Sequence, residues 1–213
     1  MSEASSETET DTATLSEEER RHKARTAKHK KVVDARIAAA RIDKGLVLVL
    51  TGNGKGKSSS AFGMVARTLG YGRKAAVFQF IKGKEDVGER AFLSRQDGVT
   101  WENCGEGFTW ETQNRARDIA AARAGWEKAR AALADPDISL VVLDELTYLV
   151  TYRYLELDEI LPAIRARPPM QHVVITGRAA HEELVELADT VSAIRDEKHA
   201  FRAGVRAQVG IDL

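Results

Sequence analysis

The chain has 213 residues, 30% of them charged, with 32 Lys and Arg against 32 Asp and Glu. A chain of this length fits one domain with room for an appendage, and the balanced charge gives no electrostatic reason to expect a nucleic-acid partner. Cys104 is the only cysteine, which excludes an internal disulfide and fits a reducing compartment; with no apolar run near the roughly 20 residues of a membrane span and no signal-peptide core, the expected location is the cytoplasm, away from membranes.

In chain order, residues 1–15 are Ser, Thr, Glu and Ala with almost nothing to bury, and read as a disordered acidic tail. Ser16 followed by three glutamates reads as an N-cap with acids in the first helical turn. The helix it starts, mostly basic, runs to Gly45, so residues 16–44 form a helical arm. Its apolar stripe is thin (Val32, Val33, Ile37, Ile42), which suits either a solvated helix or an arm ordered by an anionic ligand or a partner subunit. From residue 45 to 213 strands and helices alternate. The runs "LVLVLT", "KAAVFQFI", "GVTWENC", "ISLVVLDEL", "QHVVITG" and "TVSAIRDE" read as strands. Between them, "KSSSAFGMVARTLGYG", "GERAFLSRQ", "TQNRARDIAAARAGWEKARAALADP", "ELDEILPAIRARPP" and "AAHEELVELAD" read as helices. Strands regularly separated by helices predict an α/β fold, a doubly wound and mostly parallel sheet.

The first strand runs into "TGNGKGKSSSAFG" and from there into a helix, the context of a phosphate-binding P-loop. Gly52, Gly54 and Gly56 allow backbone N–H groups to turn inward. The helix beginning near Lys57 contributes its positive end. Lys57 adds a mobile charge, and Ser58 a hydroxyl for an oxygen-seeking divalent cation. The glycine spacing is shifted: the general pattern puts its first glycine where this chain has Thr51, and Lys55 is an additional cation. The expected phosphate-binding set is Thr51, Gly52, Asn53, Gly54, Lys55, Gly56, Lys57, Ser58 and Ser59. The fourth strand ends in Asp144 and Glu145, a Walker B-like ending. In parallel sheets the ligand crevice lies outside the carboxyl ends of the strands, so one of the two would hold Mg²⁺ or Mn²⁺ together with Ser58. Arg178, after Thr176-Gly177 at another strand end, is a clamp for phosphate or ribose. His22, His29, His172 and His181 lack metal-ligand spacing and are read as structural or surface residues. Cys104 reads as an inert core thiol.

Three further stretches, "EGFTWETQN" from Glu106, "HVVITGRAAHEELVELADTVSAIR" from His172 and the C-terminal "KHAFRAGVRAQVGIDL", join "TGNGKGKSSSAFG" and "VVLDEL" in an order that closely resembles the P-loop-type cob(I)alamin (corrinoid) adenosyltransferases, which include cob(I)yrinic acid a,c-diamide adenosyltransferase. The basic helix is similar to that family's N-terminal segment, and the resemblance covers roughly residues 20–213. It implies a RecA-like core, a homodimer, and transfer of the 5′-deoxyadenosyl group of ATP to the cobalt(I) of a corrinoid in adenosylcobalamin biosynthesis or salvage. Triphosphate is released, and ATP lies reversed in the loop relative to ordinary NTPases. Phe108 and Trp110 match the aromatic pair to which the family assigns removal of the lower cobalt ligand, and a flavoprotein is the implied reductant. Lys198 and His199 match a "KH" element in which His199 is either structural or a substrate contact. Two departures stand out: "GRA" at 177–179 where the family reads "GRG", and "SSS" after Lys57 where it commonly reads "TT". The rival readings are a generic P-loop kinase or hydrolase and a non-catalytic corrinoid or nucleotide carrier.

Overall fold

Short apolar runs closed by glycine or acidic residues become strands here because helices cover both faces of the sheet they form. The computed structural model describes residues 16–81, 88–105 and 114–211. The strands are β1 (Val47–Thr51), β2 (Lys74–Gln79), β3 (Val99–Asn103), β4 (Ile138–Asp144), β5 (His172–Thr176) and β6 (Thr190–Ala193). They make one sheet in the order β3-β2-β4-β5-β1-β6, and every described pairing is parallel. The expected mostly parallel sheet is thus parallel throughout its described strands, because each connection carries the chain back along one face before the next strand begins.

The two faces are buried against different helices. On one face α2 (Lys57–Gly70) sets Ala61, Phe62 and Val65 against Leu50, Val77, Leu140 and Val142. On the other, α4 (Arg115–Ala134) buries Ala122, Trp126, Ala129 and Leu133, spaced by four, three and four residues as one helical face requires. Within β4, Val141 and Leu143 join that second cluster while Leu140 and Val142 join the first. This alternation is why the run is apolar at every position. Each fully buried side chain of this size contributes about 1.5–3 kcal/mol relative to exposure.

The remaining helices are α3 (Gly88–Leu93), α5 (Leu146–Thr151), α6 (Leu157–Arg165) and α7 (Glu182–Leu187), with a 3₁₀ turn at Ala200–Ala203. The sequence did not reveal α5 or the 3₁₀ turn. In α6, Pro162 is tolerated because Ile160, Leu161 and Ile164 anchor the buried face, and the Ala166 N–H donates to the Pro162 carbonyl at the end of the helix. Gly125 is required by a close approach: a Cβ there would meet the Cys104 side chain. Burial pushes the Cys104 thiol up to about 12, with Glu102 adding to it, so it is the inert thiol expected.

The chain divides into two units, residues 1–43 and 44–213. In the first, α1 (Glu17–Ala39) carries the expected N-cap as a complete capping box: the Ser16 side chain accepts from the Glu19 N–H, and the Glu19 carboxylate accepts from the Ser16 N–H at 2.7 Å. The helix ends at Ala39, short of the expected stop at Gly45, because Ala40 is already extended. None of its residues is buried. In the second unit, Gly45 is held between the Pro169 carbonyl, which accepts from its N–H, and Arg167, which donates to its carbonyl at 2.8 Å.

Candidate functional site

The carboxyl ends of β1, β4 and β5 meet at one edge of the sheet, as the parallel arrangement dictates. After Thr51 the chain turns through Gly52 (φ 95°) and Gly56 (φ 109°), two left-handed positions that favour glycine, and enters α2 at Lys57. Gly54 has a different role from the expected turn. Its N–H donates to the Ile194 carbonyl at 2.8 Å, and a Cβ there would collide with the Arg195 backbone. One N–H of the expected cradle is therefore spent on fastening the loop to the segment after β6. The Ile194 N–H returns a bond to the Thr51 carbonyl, and Thr51 Oγ1 accepts from the Ala180 N–H at 3.3 Å.

Gly56 gives α2 no side-chain cap, whereas Ser16, Asn114 and His181 cap α1, α4 and α7 with their own side chains. The first-turn N–H groups of α2 are thus left to an anion. The Lys57 ammonium folds back over the loop and donates to the Gly54 carbonyl at 2.7 Å. Burial, and then the like charge of Arg178, hold its pKa below the ordinary lysine value, with Glu145 and Asp144 acting in the opposite direction. Lys57, Arg178, Asp144 and Glu145 therefore share one electrostatic neighbourhood. Ser58 is half-buried in the first turn; Asn53, Lys55 and Ser59 are exposed, and the Ser59 hydroxyl faces Glu89.

Asp144 is buried at the end of β4 within a chain of hydrogen bonds that crosses four neighbouring strands. Trp101 Nε1–H on β3 donates to Gln79 Oε1 at 2.9 Å. Gln79 Nε2 on β2 donates to Asp144 Oδ2 at 3.0 Å. The Thr176 hydroxyl on β5 donates to Asp144 Oδ1 at 2.6 Å and accepts from the Glu145 N–H at 2.9 Å. Glu145 sits at φ 62°, a left-handed position uncommon for a residue with a Cβ. Each Asp144 oxygen keeps a second lone pair. Hard oxygen donors from Asp144, Glu145 and Ser58 fit Mg²⁺, which takes one or two carboxylates and fills its shell with water and phosphate oxygens. Among the described residues no group of three or more His, Cys, Asp or Glu could form an all-protein metal cage.

Beside this cluster, Tyr148 stacks on Tyr152 at 5.8 Å, Tyr152 lies 5.8 Å from Tyr154, and the Arg115 guanidinium sits 5.3 Å above the Tyr154 ring. Burial raises the Tyr148 phenol above its usual pKa, with Arg178 opposing and Glu145 adding. Sequence reasoning missed this aromatic run and the residues Gln79, Trp101 and Thr176. The only local signal was a polar residue closing an otherwise apolar strand ("VFQ", "VIT"). Phe108 and Trp110 lie outside the described residues. His172 and His181 are structural, as expected: His172 Nδ1 accepts from the Leu46 N–H at 3.0 Å and His181 caps α7.

Ala179, the departure noted in the sequence, adopts φ 48°. A Cβ in this region is strained, so Ala179→Gly is expected to stabilise the fold by about 1 kcal/mol and to raise the melting temperature by roughly 2–4 °C. An unchanged or lowered midpoint in a thermal melt would show that the turn carries no such strain.

A parallel α/β sheet with a glycine-rich loop at the end of β1 and a buried acid at the end of β4 defines a P-loop NTPase-like α/β fold. Residues 43–213 match the family described as ATP:corrinoid adenosyltransferase BtuR/CobO/CobP, and residues 7–37 match the cob(I)alamin adenosyltransferase N-terminal family. The corrinoid adenosyltransferase of Pseudomonas aeruginosa is 56% identical over 198 residues, covering 92% of this chain and 98% of that protein. That of Salmonella typhimurium is 52% identical over 192 residues, 90% and 97% of the two chains. A corrinoid adenosyltransferase from a Sinorhizobium species is 42% identical over 204 residues, 94% and 95%. The chain belongs to the ATP:corrinoid adenosyltransferase family, a family of enzymes.

Proposed function

We propose that this chain moves the 5′-deoxyadenosyl group of ATP onto the cobalt(I) of a corrinoid. The observation that carries the reading is the family match over residues 43–213, which contains both the phosphate loop with Lys57 and the Asp144 network. Cobalt(I) is the nucleophile: it attacks the ribose C5′, the C5′–O bond breaks, and the bonding pair leaves on the oxygen of the departing triphosphate. Lys57, the first-turn N–H groups of α2 and Arg178 bind the polyphosphate and offset the charge that develops on it. Ser58, Asp144 and Glu145 would hold a divalent cation, which would supply positive charge to the same leaving group. Alignment of the reacting atoms contributes roughly 7–11 kcal/mol in well-oriented cases.

Homodimerisation and a flavoprotein reductant belong to the same reading. In the same reading, residues 16–44 are a basic arm whose charge suits the anionic substrates. No helix among the described residues is long and apolar enough to cross a membrane. The visible spectrum tests the activity. ATP and a reduced corrinoid should give a photolabile adenosylated product with release of triphosphate. Release of ADP or orthophosphate would favour a kinase or hydrolase, and binding without a spectral change would favour a carrier.

We assign to Phe108 and Trp110 the displacement of the lower axial ligand, which would let cobalt(II) accept an electron more readily. Phe108→Ala and Trp110→Ala are each expected to slow turnover from cobalt(II) by at least tenfold while leaving ATP affinity unchanged. Equal losses with chemically pre-reduced cobalt(I) would remove this role.

A further inference from the structure

Gln79, Asp144 and Thr176 close the neighbouring strands β2, β4 and β5, and all three are buried. The register sets Gln79 opposite Asp144, and Leu143 opposite Ile175 one residue earlier. Every proton in the hydrogen bonds around Asp144 therefore has one place to go. An indole N–H can only donate, so Trp101 turns the Gln79 amide with its oxygen toward β3 and its NH₂ toward Asp144 Oδ2. A backbone N–H can only donate as well. The Glu145 N–H takes up the Thr176 oxygen, and the hydroxyl proton goes to Asp144 Oδ1. The carboxylate is gripped from both flanking strands, one oxygen by each.

The Thr176 hydroxyl serves both acids at once. It bonds the side chain of Asp144 at 2.6 Å and the main chain of Glu145 at 2.9 Å. The Glu145 carbonyl in turn accepts from the Tyr148 N–H at 3.1 Å, so both ends of this residue are tied. Its left-handed conformation, φ 62°, persists only where the surroundings over-determine it. Packing alone does not account for the arrangement. Apolar side chains at the three strand ends would close the sheet without burying a carboxylate. Both donors to Asp144 are neutral, so nothing in the chain of bonds itself calls for the charge.

We propose that Thr176 is a positioning residue for the divalent cation that accompanies ATP. Through one hydroxyl it fixes the Asp144 carboxylate and the Glu145 backbone in a single arrangement, while Gln79, set by Trp101, holds the other Asp144 oxygen. Thr176 acts through the two acids and not on the cation itself. The proposal rests on the reading of Ser58, Asp144 and Glu145 as the residues that would hold the cation, and deepens it by naming what keeps two of them in place.

Mn²⁺ binding to the full chain with ATP present, followed by electron paramagnetic resonance of the free ion, tests this. Thr176→Val keeps the side-chain outline and removes the hydroxyl. It should weaken Mn²⁺ binding at least tenfold, the usual scale for losing a partner of a metal ligand, and leave the affinity for ATP without metal unchanged. Thr176→Ser keeps the hydroxyl, loses the methyl and should bind Mn²⁺ as the wild type does. Trp101→Phe keeps a ring beside Phe62, whose centroid lies 4.9 Å from that of Trp101, and loses the N–H that sets Gln79. Its Mn²⁺ affinity should fall between those of the two Thr176 variants, and it decides the matter if Thr176→Val does not fold, an unchanged affinity then counting against the proposal. Wild-type Mn²⁺ affinity in Thr176→Val, even with a lower melting temperature, would make the hydroxyl structural and overturn the proposal. So would an equal loss of metal-free ATP binding, or a Thr176→Ser protein as weak as Thr176→Val. A wild-type chain that binds ATP but no Mn²⁺ would instead remove the cation reading on which the proposal rests.

Discussion

Lys57→Met is expected to lower kcat by about 10²–10³-fold, the usual loss when one preorganised donor to a developing oxyanion is removed. Methionine keeps most of the stem volume and takes away only the charge. In the ATP-free protein that charge is held at a disadvantage: burial and Arg178 both work against it. A polyphosphate reverses the balance, because it places several negative charges beside an ammonium already resting on the Gly54 carbonyl. Folding should not suffer, since removing the cation relieves its repulsion with Arg178. The pKa direction sets the pH dependence. A lysine whose pKa is depressed loses its proton earlier as pH rises, so kcat/KM, which reports the free enzyme, should fall on the alkaline side at a pH below the ordinary lysine value. Lys57→Met should lack that limb. A variant with wild-type turnover, or one that keeps the alkaline limb, would remove Lys57 from the chemistry.

Asp144→Asn is expected to weaken Mg²⁺ dependence by at least tenfold and to destabilise the fold by about 1–3 kcal/mol, the cost of leaving a buried polar group unsatisfied. Asp144 accepts from two fixed donors, Gln79 Nε2 and the Thr176 hydroxyl. Gln79 cannot turn its amide around without losing the Trp101 N–H that donates to its oxygen. Asparagine offers one acceptor and one donor, so its oxygen must face Gln79 and its NH₂ must face Thr176. The Thr176 oxygen already accepts from the Glu145 N–H, and its own proton would be left without an acceptor. A thermal melt should show a drop of a few degrees. A Mg²⁺ titration followed by intrinsic tryptophan fluorescence should shift to higher concentration. If the variant melts lower but titrates with Mg²⁺ as the wild type does, Asp144 is structural only.

The phosphate loop could be read from sequence because its parts are contiguous: strand, glycines, lysine and hydroxyl fall within twelve residues, from Val47 to Ser58. Asp144 was legible for a similar reason, as a charge that ends an apolar run. Gln79, Trp101 and Thr176 were not, because they meet only once β3, β2, β4 and β5 lie side by side, an order that no local pattern encodes. The same limit hid the fastening of the loop to the segment after β6, which depends on β6 pairing beyond β1. The helix α5 was obscured because "LTYLVT" continues the apolar run of β4 and has no side-chain cap to mark its start. Ala179 was a legible departure, but its left-handed conformation follows from the turn after Gly177 and not from the residue itself.

The account stands on which bond of ATP breaks, and an oxygen-18 label at the position bridging C5′ and the α-phosphorus decides that. Attack by cobalt on carbon should deliver all of the label to inorganic triphosphate and leave none in the adenosylated corrinoid. If instead the label stayed with the adenosine-containing product, with ADP or AMP as its carrier, phosphorus would be the centre attacked and the proposed reaction would be wrong.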